Sequence, residues 1–359
     1  MNGESGMKIG ILEGDDIGHE VVPETVKVMQ AAAEATGLEI DWHPIPIGRK
    51  AYDTLGHTLP PGTLEKLESL DGWVLGPIGH MAYPKVPEAV NPHPILRKHF
   101  DLFANIRPSL SYAGIESLHQ NVDLVIVREN NEGFQPDRNV VAGCGEFRPT
   151  HDVTISVRVI TRAGSSKVLH EAFKLARSRR KQVTVVHKDT VFKLGCGMFV
   201  EEAKRIAAEY PDVVMNEAIV DTFAMRLVMT PQKYDVIVTT NMFGDILSDE
   251  AAGLVGGLGL APGLSAGPRH AMAQATHGSA PDIAGRGIAN PYAMVMSGQM
   301  LLDWLGRKHD VAKAREAAVL IEKAVGTVMR EKRSLTADLG GTSKTHEMGD
   351  AIVRAIGQN

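Results

Sequence analysis

Apolar residues run along this chain in two rhythms. Short, nearly unbroken apolar stretches at residues 8–12, 72–75, 122–127, 183–187 and 236–239 have the length and β-branched content of buried strands. Between several of them, residues 20–35, 165–180, 198–209 and 310–330 repeat apolar side chains at helical spacing. Strands alternating with helices predict an α/β protein with a mostly parallel sheet. One stretch departs from this. Within residues 143–162, Val153, Ile155, Val157 and Val159 alternate with Thr154, Ser156 and Arg158, a period of two that predicts an antiparallel arm. The glycine-rich run at 253–267 opens a loop-heavy segment reaching Pro291, longer than an ordinary connection and so a candidate for function.

Composition narrows the class. With 359 residues, 43% of them hydrophobic, the chain can bury the core of one large or two ordinary domains. A net charge of −5 from mixed acids and bases leaves no electrostatic footprint for nucleic acid. Cys144 and Cys196 each sit between glycines, without the spacing of a zinc site or a disulfide framework, which fits a reducing cytoplasm. The N-terminus lacks an apolar core of signal-peptide length, and no apolar run reaches the roughly 18 residues of a membrane span.

Chemistry collects in a few places. After the strand at 236–239, Asp245 and Asp249 fall at i and i+4 on a predicted helix and share one face, where their charges repel unless a cation lies between them. Oxygen ligands of this kind suit Mg²⁺ or Mn²⁺; acids favouring a helix N-terminus are the plainer reading. Asp221 is a third candidate carboxylate or a helix cap. Arg97, Arg107 and Arg128 recur near element ends, and forked guanidinium groups suit a di- or tricarboxylate, although surface arginines are commoner. Lys188 follows the strand at 183–187, where α/β sheets carry functional groups; near a divalent cation its pKa would fall, making it a candidate base. The loop Glu13-Gly-Asp-Asp-Ile-Gly-His-Glu lacks the spacing of the common nucleotide fingerprints, and the long loop beginning His277-Gly-Ser-Ala-Pro-Asp could hold an adenosine or merely connect.

Taken together, Phe103-Ala-Asn-Ile-Arg-Pro, Val127-Arg-Glu-Asn, Asn241-Met-Phe-Gly-Asp-Ile-Leu-Ser-Asp and His277-Gly-Ser-Ala-Pro-Asp-Ile-Ala-Gly resemble the isocitrate and 3-isopropylmalate dehydrogenase family nearly end to end. The resemblance implies a two-domain α/β fold unlike the Rossmann domain, with a mostly parallel sheet and helices on both faces. The first domain would join 1–102 to 257–359, and the second, 103–256, would carry the metal site and an arm at about 143–162 that clasps a twin subunit. It implies Arg97, Arg107 and Arg128 on substrate carboxylates, Lys188 as base with Asp221 in the catalytic set, and Asp221, Asp245 and Asp249 around Mg²⁺ or Mn²⁺. Lys188 and Asp221 would serve the partner's site in a homodimer with shared active sites. NAD would lie along Ile17, His277, Gly278, Ser279, Ala280, Asp282, Ile283 and Asn290, with Asp282 on the adenosine ribose and repelling a 2′-phosphate.

The family chemistry implied is oxidation at C2 of a 3-substituted malate followed by loss of the β-carboxylate. Relatives place a tyrosine near C3, seven residues after the arginine matched by Arg128; here that position is Gln135, which has no acidic proton to give. Tyr83, His80 and His93 are possible substitutes. Asn91 and His93 occupy the positions that choose the C3 substituent in relatives, and this polar pair argues against a purely aliphatic one. Oxidation without efficient decarboxylation, as in tartrate or D-malate dehydrogenases, is the main rival. Phosphohydroxythreonine dehydrogenases hold their metal with histidines instead, and a non-catalytic ligand-binding paralogue would need neither Lys188 nor the three aspartates.

Overall fold

The computed structural model describes residues 6–134 and 145–358. Ten strands form one sheet: β1 (Met7–Leu12), β2 (Ile40–Pro44), β3 (Gly72–Leu75), β4 (Ala104–Leu110), β5 (Asp123–Glu129), β8 (Gln182–His187), β9 (Val214–Ile219), β10 (Val236–Thr239), β11 (Leu264–Ala266) and β12 (Ala271–Ala273). Their spatial order is β2-β1-β3-β12-β11-β4-β5-β10-β8-β9. Neighbours at both ends of the sheet are parallel, while the central β12-β11, β11-β4 and β4-β5 pairs are antiparallel. The remaining two strands, β6 (Glu146–Thr150) and β7 (Val153–Ser156), pair antiparallel with each other, apart from the main sheet.

Period-two alternation sends successive side chains to opposite faces. On β5, Val125 and Val127 join a core with Phe173 and Phe199, whereas Leu124 and Ile126 join one with Phe223 and Leu247. On β3, Val74 faces the core of the helices Gly18–Thr36 and Tyr292–Lys308, while Trp73 and Leu75 face Leu67 and Leu96. Helices therefore cover both faces.

The branched apolar runs become strands where expected. The loop-heavy segment after residue 253 differs, because it supplies β11 and β12, two strands in the middle of the sheet. Three-residue strands of Ala, Ser, Leu and Met lack the β-branched signature, so pairing rather than propensity makes them. The helix expected over 165–180 ends at Arg177, since Lys181 takes φ 59° and Arg179 turns back to Asp123 and Asp235. β6 and β7 are exposed along their whole length, as an arm leaving the body would be. Among the described residues no helix is long and apolar enough to cross a membrane.

Candidate active site

Alternation on two central strands aims the arginines. Arg107 on β4 and Arg128 on β5 point to the face opposite Ile106 and Val127, toward the helix Asn241–Val255. Arg128 Nε donates to the Asn241 carbonyl at 3.0 Å, its Nη2 donates to Asn241 Oδ1 at 2.7 Å, and its Nη1 reaches Asp245. Arg107 Nη1 donates to Ser248 Oγ at 2.7 Å and Asp245 Oδ1 at 3.1 Å, and lies 3.7 Å from Asp249 Oδ1. Asn105, two residues earlier on the same strand face, accepts from Arg107 Nε at 2.9 Å. Arg97 comes from the helix Pro92–His99 and is buried. These three arginines and Asp245 line one cavity of about 300 Å³ with His80, His93, Gln274 and His277. A larger cavity of about 600 Å³ opens on the other face, where Ile106, Pro108 and Val125 point, and none of these three arginines lines it.

Asp245 and Asp249 share a helix face, and their side chains are half exposed while the guanidiniums beside them are buried. Burial, opposed by Arg107 and reinforced by Asp245, pushes the Asp249 carboxyl above its ordinary range. Two open carboxylates on one face fit a hard cation that keeps part of its water, but they make an incomplete set. No group of three potential ligands occurs among the described residues. Asp221 pairs with Lys188 Nζ at 2.8 Å, and neither residue lines the arginine cavity. The Lys188 ammonium holds the Asp221 carboxyl below its ordinary range.

The two loops expected at a cofactor meet in space. Ile17 N–H donates to the Ser279 carbonyl at 3.1 Å, and Gly79 approaches both Asp16 and Ser279. His277 Nδ1 lies 3.0 Å from the Gly278 carbonyl, which assigns the ring proton there and leaves Nε2 as an acceptor. That Nε2 is buried with no hydrogen-bond partner among the described residues, and burial holds the ring below its ordinary pKa, so it is neutral near pH 7. A buried acceptor of this kind, five residues before the exposed Asp282 in the same loop, fits a bound donor such as a nucleoside. Gly278 and Ala280, the latter at φ 45°, continue this loop, and Ile283 closes its turn by donating to Ala280.

Other expected residues sit differently. Asn91 caps the helix Pro92–His99 by accepting from His93 N–H at 3.1 Å, and it does not line the cavity. Asn290 donates to Asp338 at 2.9 Å and accepts from Tyr292 N–H at 2.9 Å, which holds its side chain in place. Gln135 lies outside the described residues. Tyr83 donates to Asp15 at 2.6 Å, and burial with that carboxylate pushes its pKa far upward, which removes it as an acid. Gln274, Ser248 and Asn241 were not expected. Gln274 donates to His93 Nε2 at 2.5 Å and fixes that ring at the cavity wall.

Three buried arginines thus stand over a carboxylate-bearing helix, on a cavity that the loop at His277 also lines. A model of the isocitrate/isopropylmalate dehydrogenase family matches residues 8–352, and the chain belongs to that family. The isocitrate/homoisocitrate dehydrogenase of Thermus thermophilus is 41% identical over 350 residues, covering 97% of this chain and 98% of that one. The 3-isopropylmalate dehydrogenase of Archaeoglobus fulgidus is 40% identical over 354 residues, covering 97% and 99%. The crystal structure of isocitrate dehydrogenase from Methylococcus capsulatus matches with a TM-score of 0.86 at 40% identity, covering 98% and 99%.

Proposed function

We propose that this chain is an NAD-dependent, Mg²⁺- or Mn²⁺-dependent dehydrogenase that oxidises and decarboxylates a 3-substituted malate, and that it works as a cytoplasmic homodimer. The convergence of Arg97, Arg107 and Arg128 with Asp245 on one small cavity carries this reading. The arginines bind and orient the substrate carboxylates in a buried setting, where forked hydrogen bonds are strongest. Asp245, Asp249 and the partner subunit's Asp221 would hold the cation. When bound, the cation supplies Lewis acidity at the C2 hydroxyl and NAD supplies the acceptor for the departing hydride. The partner's Lys188 takes the hydroxyl proton. A pair that is accessible yet outside its own chain's arginine cavity supports service to a second copy. Exposed Met225, Met229, Met242 and Ile246 on the helices Val220–Met229 and Asn241–Val255 offer that copy an apolar surface. We assign 1–102 with 257–359 to the first domain and 103–256 to the second.

The closing test is a panel of malates bearing hydrogen, hydroxyl, alkyl or carboxyalkyl groups at C3, assayed for both NADH and CO₂. Absence of NADH from every member in Mg²⁺ or Mn²⁺ would remove the proposal. A second reading, oxidation with little decarboxylation, is favoured by Gln135 standing where relatives have tyrosine and by Tyr83 being spent on Asp15. NADH well in excess of CO₂ would select it.

A further inference from the structure

We infer that Arg158 is a positioning residue that binds three segments into one unit: the turn carrying Lys188, the root of the β6-β7 arm and the start of the helix bearing Asp245. The inference rests on the proposed role of Lys188 and adds a residue that does not line the arginine cavity. Arg158 lies where β7 rejoins the body. Its neighbour Val159 exchanges both backbone hydrogen bonds with Gly133, at 2.8 and 3.0 Å.

The guanidinium carbon stands 4.7 Å from the ring centre of Phe192, 5.8 Å from Phe243 and 5.9 Å from Phe134. Its Nη2 donates to Thr240 Oγ1 at 3.3 Å and to Cys196 Sγ at 3.6 Å. The five partners fall on three pieces of chain: Phe134, Phe192 with Cys196, and Thr240 with Phe243. Phe192 N–H donates to the Lys188 carbonyl at 2.8 Å, closing the turn that presents Lys188. Thr240 precedes Asn241, whose carbonyl and amide oxygens hold Arg128.

Ion pairing does not explain this half-buried cation, because among the described residues no carboxylate lies within ion-pair distance of it. A helix N-terminus is also an unfavourable place for positive charge, and a Cβ on Gly195 at the start of Gly195–Ala207 would come 3.1 Å from Arg158 Nη1. Three aromatic faces and two weak acceptors are what hold it, and a planar guanidinium can satisfy all of them together where an ammonium cannot. One side chain thus links the proposed base, offered to one site, to the arginine and carboxylate helix of another.

Full-length Arg158→Met and Arg158→Lys proteins, with Lys188→Met as control, are assayed with NAD, Mg²⁺ and the best malate of the panel. Arg158→Met should lower kcat about 10- to 100-fold, the scale of a displaced catalytic group, with the substrate KM little changed, and Arg158→Lys should recover part of the loss. Hydrogen exchange in metal-free protein should show the Val191 and Phe192 amides opening faster in Arg158→Met than the rest of the chain. Wild-type kcat with wild-type exchange would overturn the inference, as would a loss of kcat that only tracks loss of folded protein. If Lys188→Met keeps full activity, the base assignment falls and the exchange measurement alone decides the role of Arg158.

Discussion

Gly244 lies directly against Arg128: a Cβ built on it would stand 2.7 Å from both Arg128 Cβ and Cγ. A helical glycine is costly, and here it lets the helix pass close enough to accept the guanidinium. Gly244→Ala should push Arg128 off Asn241 and Asp245, lowering kcat/KM at least about tenfold and destabilising the fold by about 1–3 kcal/mol, as overpacking does. Steady-state kinetics with thermal unfolding checks both. An alanine variant as active as wild type would show that Arg128 need not sit where it does.

The proposed metal dependence rests on the Asp245 and Asp249 pair. Chelation should abolish turnover, and Asp245→Asn should lose most activity while circular dichroism stays that of the folded protein. Full turnover in metal-free buffer would end this assignment.

Cofactor choice tests the loop after His277. An exposed Asp282 carboxylate should repel a 2′-phosphate. Wild type should therefore prefer NAD, and Asp282→Lys with Ile283→Tyr should shift the ratio of kcat/KM values toward NADP. Faster turnover of wild type with NADP at equal concentration contradicts the ribose contact.

At Glu129 the prediction concerns pH. This buried carboxyl accepts the N–H groups of Asn131 and Glu132, each at 2.7 Å, yet burial pushes it up to about 7 from an ordinary 4.5. An acid with a raised folded pKa binds its proton more tightly when native, so its contribution is greatest below about 4.5 and falls as pH rises to about 7. The loss is at most roughly 3 kcal/mol. Denaturant midpoints at pH 5 and pH 8 should fall less for Glu129→Gln than for wild type; parallel changes would exclude Glu129 as the source.

Gln135→Tyr addresses the proton needed at C3. If no other acid has taken over, the tyrosine should speed decarboxylated product by up to about 10²-fold, the lower end of what a positioned acid contributes. Single-turnover comparison of NADH and CO₂ decides this. Equal, fast formation of both in wild type, slowed by the tyrosine, would make Gln135 a shaper of the pocket instead.

Local pattern carried much of the architecture. Runs of Val and Ile marked β5, β8 and β10 because both sheet faces are covered, and alternation marked β7 in the arm. β4 escaped notice as a strand: Pro108 cannot donate to a ladder and lowers any propensity reading, yet it pairs opposite Val125. The i, i+4 spacing of Asp245 and Asp249 was legible on the chain. Gln274 and Ser248 were not, since nothing local distinguishes them from ordinary polar residues until β12 and the helix Asn241–Val255 are docked. Asn91 adds a role that spacing did not reveal, since its Oδ1 accepts from His93 N–H and caps the helix Pro92–His99.

The two-stranded arm has a consequence for how the molecule must be made. Phe147, Val153 and Ile155 are each more than 40% exposed, and among the described residues β6 and β7 pair with no strand but each other. So short a hairpin is marginal alone in water, and its bare edges can pair with any passing chain. With the homodimer proposed above, recovery of activity after denaturation should be second order in protein at high dilution and lost to aggregation when concentrated, with the best yield between those limits.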